Sequence, residues 1–186
     1  MMSAMGARAD DAGRSRNLHA PWRIGYIRSL GEADDGCFLC RARDQADRAE
    51  ENLLLWRTER CLAVMNKYPY SAGHLLVAPA EHVGGLEGLE ASALGELMAL
   101  TRDSVRLLGE TVKAEGFNVG INIGRCAGAG LPDHVHLHVV PRWSGDTNFM
   151  SVLGDVRVVH QALRELRGEL LAAGERLRLP DVLYAR

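Results

Sequence analysis

His134-Val135-His136-Leu137-His138-Val139-Val140-Pro141 is the stretch on which the reading of this chain turns. In an extended strand successive side chains point to opposite faces. The three histidines therefore share one face, and Val135, Leu137 and Val139 share the other. The apolar face needs a core to cover it. The imidazole face, about 13 Å long at ~3.3 Å per residue, needs a chemical reason. Neighbouring rings repel one another when protonated, so neutral imidazoles are expected, and these suit nucleophilic attack or metal ligation near pH 7. Three readings compete: a polar strand face with incidental histidines, a three-histidine metal site, and phosphate chemistry with one histidine as nucleophile. The residues upstream favour the last. Gly120, Gly124, Gly128 and Gly130 lead into the segment, and glycine lets backbone N–H groups approach an anion closely.

Working outward, short β-type runs at 53–57, 61–65 and 74–78 predict strands, with a turn over 68–73. The segment 91–115 is the clearest helix. Leu94, Leu97, Met98, Thr101, Val105, Leu108 and Val112 fall on one face, and Gly116 is the expected stop. A strand follows over 118–123 and a glycine-rich loop over 124–130. A last helix over 155–174 aligns Val159, Leu163, Leu166 and Leu170. The charged segment 41–52 reads as an exposed helix or loop. This order predicts an α+β fold: a mostly antiparallel sheet covered by one long helix, plus a C-terminal helix. The expected division is an N-terminal arm over 1–34, partly disordered, a catalytic domain over 35–150, and a C-terminal helix and tail over 151–186. Trp22, Ile24, Tyr26 and Ile27 are too apolar for a bare linker and are expected to dock the arm on the domain or on a partner subunit.

At 186 residues the chain has room for one domain plus tails, and its 47% hydrophobic and 25% charged fractions exclude global disorder. No apolar run approaches the ~18 residues of a membrane span, and the first 18 residues hold charges but no signal-type apolar core, so a cytoplasmic protein with no membrane partner is expected. The net charge of -2 argues against nucleic acid as a partner. An anionic ligand would need a site made locally from backbone N–H groups and a few side chains.

Cys37-Phe38-Leu39-Cys40 spaces two thiols as half of a metal site or as a redox pair. A tetrahedral site needs two further ligands. Cys61 lies in a strand and is expected in the core; Cys126 lies in the glycine loop.

The segment 134–140 resembles the His-φ-His-φ-His-φ-φ signature of the histidine triad family of nucleotide hydrolases and transferases. The likeness extends through Asn66, Gly73-His74-Leu75-Leu76-Val77-Ala78-Pro79, and the stretch from Gly116 to Gly124. It continues into Pro141-Arg142-Trp143 and Gly145-Asp146-Thr147-Asn148-Phe149, which is most similar to the bacterial branch that includes diadenosine tetraphosphate phosphorylases. The resemblance implies the histidine triad fold and a catalytic set of His136, His138 and His134. His136 attacks the α-phosphorus, a nucleotidyl-histidine forms, and phosphate or water releases the nucleotide. It implies that Asn66 binds ribose hydroxyls, and that Asn122, Gly128, Ala129, Gly130 and His138 hold the α-phosphate. A turn residue is the plainer reading of Asn66, and a strand-end cap that of Asn122. Many relatives carry a hydroxyl or amide side chain in the loop before the triad; Gly128-Ala129-Gly130 offers only backbone. His74 reads as a hydrogen-bonded structural residue and Trp143 as a packing residue.

By the same resemblance, some members complete a zinc site from the positions of His82 and His134, giving Cys37, Cys40, His82 and His134. Such a zinc would be structural, would clamp the N-terminal segment to the catalytic strand and would help orient His136. Magnesium is expected only with a polyphosphate substrate. A homodimer or larger homo-oligomer is implied. The activity implied is cleavage of an adenine nucleotide of the dinucleoside polyphosphate class. The alternatives are hydrolysis of adenosine 5'-phosphoramidate, or nucleotide sensing with little turnover.

Overall fold

The computed structural model describes residues 36–146 and 162–179. Short apolar runs build its sheet. The elements in chain order are α1 (Phe38–Asp44), β1 (Leu54–Arg57), β2 (Cys61–Met65), β3 (Leu75–Pro79), α2 (Ala91–Thr111), β4 (Gly116–Ile121), β5 (Leu137–Arg142) and α3 (Leu163–Arg176). The five strands form one sheet in the order β1-β2-β3-β5-β4, and every neighbouring pair is antiparallel. This is the α+β arrangement that the sequence predicts.

Both faces of the sheet are covered at β2 and β3, which is why these strands are buried at every position, while β4 at the edge stays largely exposed. One face carries Cys61, Ala63, Met65, Leu75, Val77, Leu137 and Val139 and packs beneath α2 and α3. The other carries Leu62, Val64, Leu76 and Ala78 and packs against Leu39 and Ala42 of α1. His138 pairs with Leu76 in register and so opens onto this second face. The histidines thus lie opposite the long helix, while Val135 joins the core beneath it.

Helix α2 departs from the expected stripe. Ala93, Leu97, Leu100, Thr101, Ser104, Leu107 and Leu108 are buried, while Met98 is 57% exposed. Thr101 and Ser104 can face the core because their hydroxyls donate to the carbonyls of Leu97 and Leu100, one turn back, at 2.8 and 2.7 Å. The helix ends at Thr111, four residues before the expected end. Lys113 takes a left-handed φ of 51°, and Gly116 opens β4 instead of stopping the helix. Trp143 closes this end: its Nε1–H donates to the carbonyls of Val112 and Lys113 at 3.2 and 3.0 Å, groups that a helix terminus leaves unpaired.

The last helix, α3, buries Leu166 and Leu170 as expected. It is tied to the sheet edge by Arg167, a buried guanidinium whose Nε–H donates to the Leu54 carbonyl at 2.9 Å. An irregularity in β1 between Leu54 and Trp56 breaks the ladder at that point and leaves the carbonyl to the arginine. The arm expected over 1–34, the start of the last helix at 155–161 with Val159, and Thr147 to Phe149 lie outside the described residues.

Candidate functional site

The histidine segment is extended, but it enters the sheet later than its alternation suggests. Regular pairing starts at Leu137. Ahead of it, the Val135 N–H donates to the Val83 carbonyl at 2.7 Å rather than to β3. That exchange lays the 80–84 loop alongside 131–135. Gly84 makes the approach possible, since a Cβ there would stand 2.9 Å from the Pro132 carbonyl oxygen. The three rings divide between two environments as a result.

His134 is fully buried and turns toward α1. Its Nδ1 lies 3.1 Å from Cys37 Sγ and 3.6 Å from Cys40 Sγ, and Cys40 Sγ lies 3.2 Å from His82 Nδ1. All four ligand atoms fall within 4.8 Å of one another. Tetrahedral zinc with two thiolates and two imidazoles has ligand–ligand edges of roughly 3.5–3.8 Å, so the donor set and its spacing fit a metal ion. The tautomer fits as well. His134 Nε2–H donates to the Pro79 carbonyl at 2.9 Å, which leaves Nδ1 unprotonated and facing the thiols. Burial, then the hydrogen bond and proximity of Cys37, push the Cys40 thiol up to about 11; a divalent cation relieves that crowding. Arg43 helps to close the cluster by donating to the Ala80 carbonyl, which fastens α1 to the loop carrying His82.

His136 is 5% exposed and its Nδ1 lies 2.8 Å from the backbone oxygen of His134. A carbonyl only accepts, so the proton sits on Nδ1 and Nε2 keeps its lone pair. Burial holds this ring below the usual imidazole range, against the opposing pull of the carbonyl. A single residue thus joins the two groups: the His134 side chain belongs to the Cys–His cluster, and its carbonyl accepts from His136 Nδ1–H.

His138 stands beside His136, with ring centroids 5.0 Å apart. Its Nδ1 lies 3.0 Å from Nε2 of His74. The backbone N–H of Tyr70 donates to His74 Nδ1 at 3.1 Å, so the His74 proton is on Nε2 and is given to His138. The proton of His138 is then left on its own Nε2, as a donor. His74 is thus the buried, hydrogen-bonded residue expected from sequence, and one of its partners is His138. The signal was present: His74, Leu76 and Ala78 share strand parity, and the antiparallel register sets Leu76 opposite His138.

Gly73 makes the turn into His74. It has φ +84°, and a Cβ there would lie 2.9 Å from Leu108 Cδ2 and 3.4 Å from Pro141 Cγ. Gly73→Ala is expected to destabilise the fold by about 1–3 kcal/mol, seen as a fall in Tm, and to lower turnover further by displacing His74. An unchanged Tm would show that the turn tolerates a side chain.

The residues expected at the nucleotide are distributed as follows. Asn66 is engaged within its own turn: Oδ1 accepts from the Tyr68 N–H at 2.9 Å and Nδ2 lies 3.2 Å from His74 Nδ1. Asn122 follows directly after β4, whose last pairs, Gly120 with His138 and Ile121 with Leu137, bring that strand end beside the histidines. In the glycine loop the Gly128 N–H donates to the Arg125 carbonyl at 3.0 Å and the Ala129 N–H to the Gly124 carbonyl at 3.3 Å. Two of the N–H groups expected to face phosphate are therefore used inside the loop. Arg142 lies at the far end of β5, where it pairs with Asp146 and donates to Asn118. Cys61 is in the core and Cys126 is exposed.

Comparison with known proteins agrees with this geometry. The AP-4-A phosphorylase of Mycobacterium tuberculosis is 45% identical over 118 residues, 63% of this chain and 60% of that protein. The match thus spans about three fifths of the relative's length. Among solved structures, a zinc-bound histidine triad family protein from Mycobacterium smegmatis superposes with a TM-score of 0.61 at 25% identity, covering 77% of this chain and 96% of that one. A hypothetical histidine triad nucleotide-binding protein from Sulfolobus tokodaii gives 0.62 at 28% identity, covering 76% of this chain and 94% of that one. The family model of the HIT domain matches residues 48–145, more than half of the sequence, with all five strands and α2 inside the match and α1 and α3 outside it, and the chain belongs to that family.

Proposed function

We propose that the chain is a nucleotidyl transferase or hydrolase that cleaves a dinucleoside polyphosphate at the α-phosphorus, with His136 as nucleophile. The observation that carries this reading is the bond from His136 Nδ1–H to the His134 carbonyl, which leaves Nε2 as a lone-pair donor on a buried, neutral ring. Nε2 attacks the α-phosphorus, and the P–O bond to the remaining polyphosphate breaks, its electrons leaving with that oxygen. A phosphate or water oxygen then attacks the nucleotidyl-histidine. The N–P bond breaks, its electron pair returns to Nε2, and the acceptor's proton passes to solvent. His138, donating from Nε2, stabilises charge on the phosphoryl oxygens. A nucleoside triphosphate is a good leaving group, so no strong acid is required. Asn66 and Asn122 are assigned to the ribose and α-phosphate on this reading, and the Gly128-Ala129-Gly130 loop would meet the phosphate by exchanging the internal bonds of its Gly128 and Ala129 N–H groups.

Identity with the mycobacterial AP-4-A phosphorylase supports the substrate class. Incubation with diadenosine tetraphosphate, with and without inorganic phosphate, tests it. ADP plus ATP only when phosphate is present identifies a phosphorylase. AMP plus ATP identifies a hydrolase; two ADP would place the cleavage between the two central phosphorus atoms and overturn the α-phosphorus reading. Intact substrate under both conditions would overturn the proposal.

Cys37, Cys40, His82 and His134 would hold a structural zinc ion. Four protein ligands leave no open position, so when bound it supplies a cross-link rather than Lewis-acid chemistry. Magnesium would come with the polyphosphate. The edge strand β4, with Val119 46% exposed, supports a homo-oligomer. No described helix is long and apolar enough to cross a membrane, and the cytoplasm is the compartment that goes with this reading.

A further inference from the structure

The turn before β3 contains an aromatic residue that the reaction as described does not use. Tyr70 meets both rings of the histidine pair behind the nucleophile. Its ring centroid lies 4.7 Å from that of His74, tilted by 32°, and 6.0 Å from that of His138, nearly parallel at 16°. The two imidazoles are themselves 5.2 Å apart. We propose that Tyr70 is a positioning residue: its backbone N–H and its ring together hold His74 and His138 as one unit, so that His138 presents Nε2–H to the reacting phosphate.

Two contacts from one residue act on the same proton arrangement. The N–H to His74 Nδ1, with the Asn66 amide that donates to the same atom, keeps the His74 hydrogen on Nε2. The ring restricts rotation of both imidazoles, and a flip of either would break the His74–His138 bond and free His138 to move its proton to Nδ1. Tyr70 is itself fixed from both sides. Ser71 Oγ donates to the Pro141 carbonyl at 2.9 Å, the His74 N–H donates to the Ser71 carbonyl at 3.1 Å, and Asn66 Oδ1 holds the Tyr68 N–H. The turn is thus anchored to β5, the strand that carries His138, and ring and strand keep their relative position.

This inference rests on the proposed role of His138, and its test is built to fail separately from that role. Long-range 1H–15N spectra of the full-length protein report the tautomer of each histidine without any turnover. Wild type is expected to show His138 protonated on Nε2, with cross-relaxation between the Tyr70 ring and the His138 ring protons. Tyr70→Leu is expected to give a mixture of His138 tautomers and to lower kcat on diadenosine tetraphosphate about tenfold, with KM changed less than about threefold. Tyr70→Phe, which keeps the ring, is expected to recover the larger part of both losses. A wild type lacking the Tyr70–His138 cross-peak overturns the proposal even if Tyr70→Leu does not fold. So does a folded Tyr70→Leu variant with an unchanged His138 tautomer. If wild type is inactive but the tautomer responds as stated, the reading of the reaction fails and the positioning role stands.

Discussion

Replacing His136 by alanine is expected to lower the rate of dinucleoside polyphosphate cleavage by about 10⁴- to 10⁶-fold, the range found when the nucleophile of a covalent mechanism is removed. Nucleotide affinity is expected to stay within about threefold, because the ring acts on phosphorus and the remaining contacts are untouched. The two quantities are read by single-turnover kinetics and by equilibrium titration with a non-hydrolysable dinucleotide. A protein that only senses nucleotide would lose little turnover, having little to lose. Residual activity within tenfold of wild type would remove His136 from the role of nucleophile. The expectation is steep because the site offers no substitute. His134 has its Nε2 on the Pro79 carbonyl and its Nδ1 among the thiols, and His138 has its Nδ1 on His74.

Loss of a zinc ion from the Cys37, Cys40, His82 and His134 cluster is expected to be the second large effect. A zinc ion present at a thousandfold its Kd stabilises the folded chain by about 4 kcal/mol. For a protein of this length that is a fall in Tm on the order of 10 °C. Cys37→Ser or exhaustive chelation is expected to produce such a fall. Turnover is expected to drop about 10- to 100-fold as well, the range typical of groups that orient a ligand rather than react. The coupling passes through one residue. With its side chain released, His134 no longer holds its carbonyl where His136 Nδ1–H can use it. Metal analysis of protein purified without added metal is the direct check. Less than about one-tenth equivalent of zinc per chain would defeat the four-ligand assignment. A normal Tm in Cys37→Ser would show that the cluster bears no structural load.

Much of this was legible in the residues. Short apolar runs at 61–65 and 75–79 already marked strands, and the alternation in 134–139 told inner from outer face there, because a period of two is set by backbone geometry alone. The Cys37-x-x-Cys40 spacing marked half of a metal site, and the two histidines suggested by family resemblance do stand within ligand reach of it. Where the reading missed, local pattern was overruled by packing. Thr101 lies in the core as expected, but the stripe on α2 shifted toward Leu100, Ser104 and Leu107, with the Ser104 hydroxyl satisfied within the helix and Met98 left outside. β5 started late because Val135 found the Val83 carbonyl before it reached β3.

By itself the sequence determined which side chains exist in reach of a common sheet face: three imidazoles in alternation, with an apolar partner face that forces the segment onto a core. Only the tertiary structure decided where each proton sits. That depends on bonds between residues far apart in the chain, His74 with His138 and His134 with Pro79, and on a loop lying close enough to take one N–H out of the ladder. Periodicity fixes the face of a side chain. The rotation of its ring, and so its chemistry, is set by whichever donor or acceptor the fold brings against it.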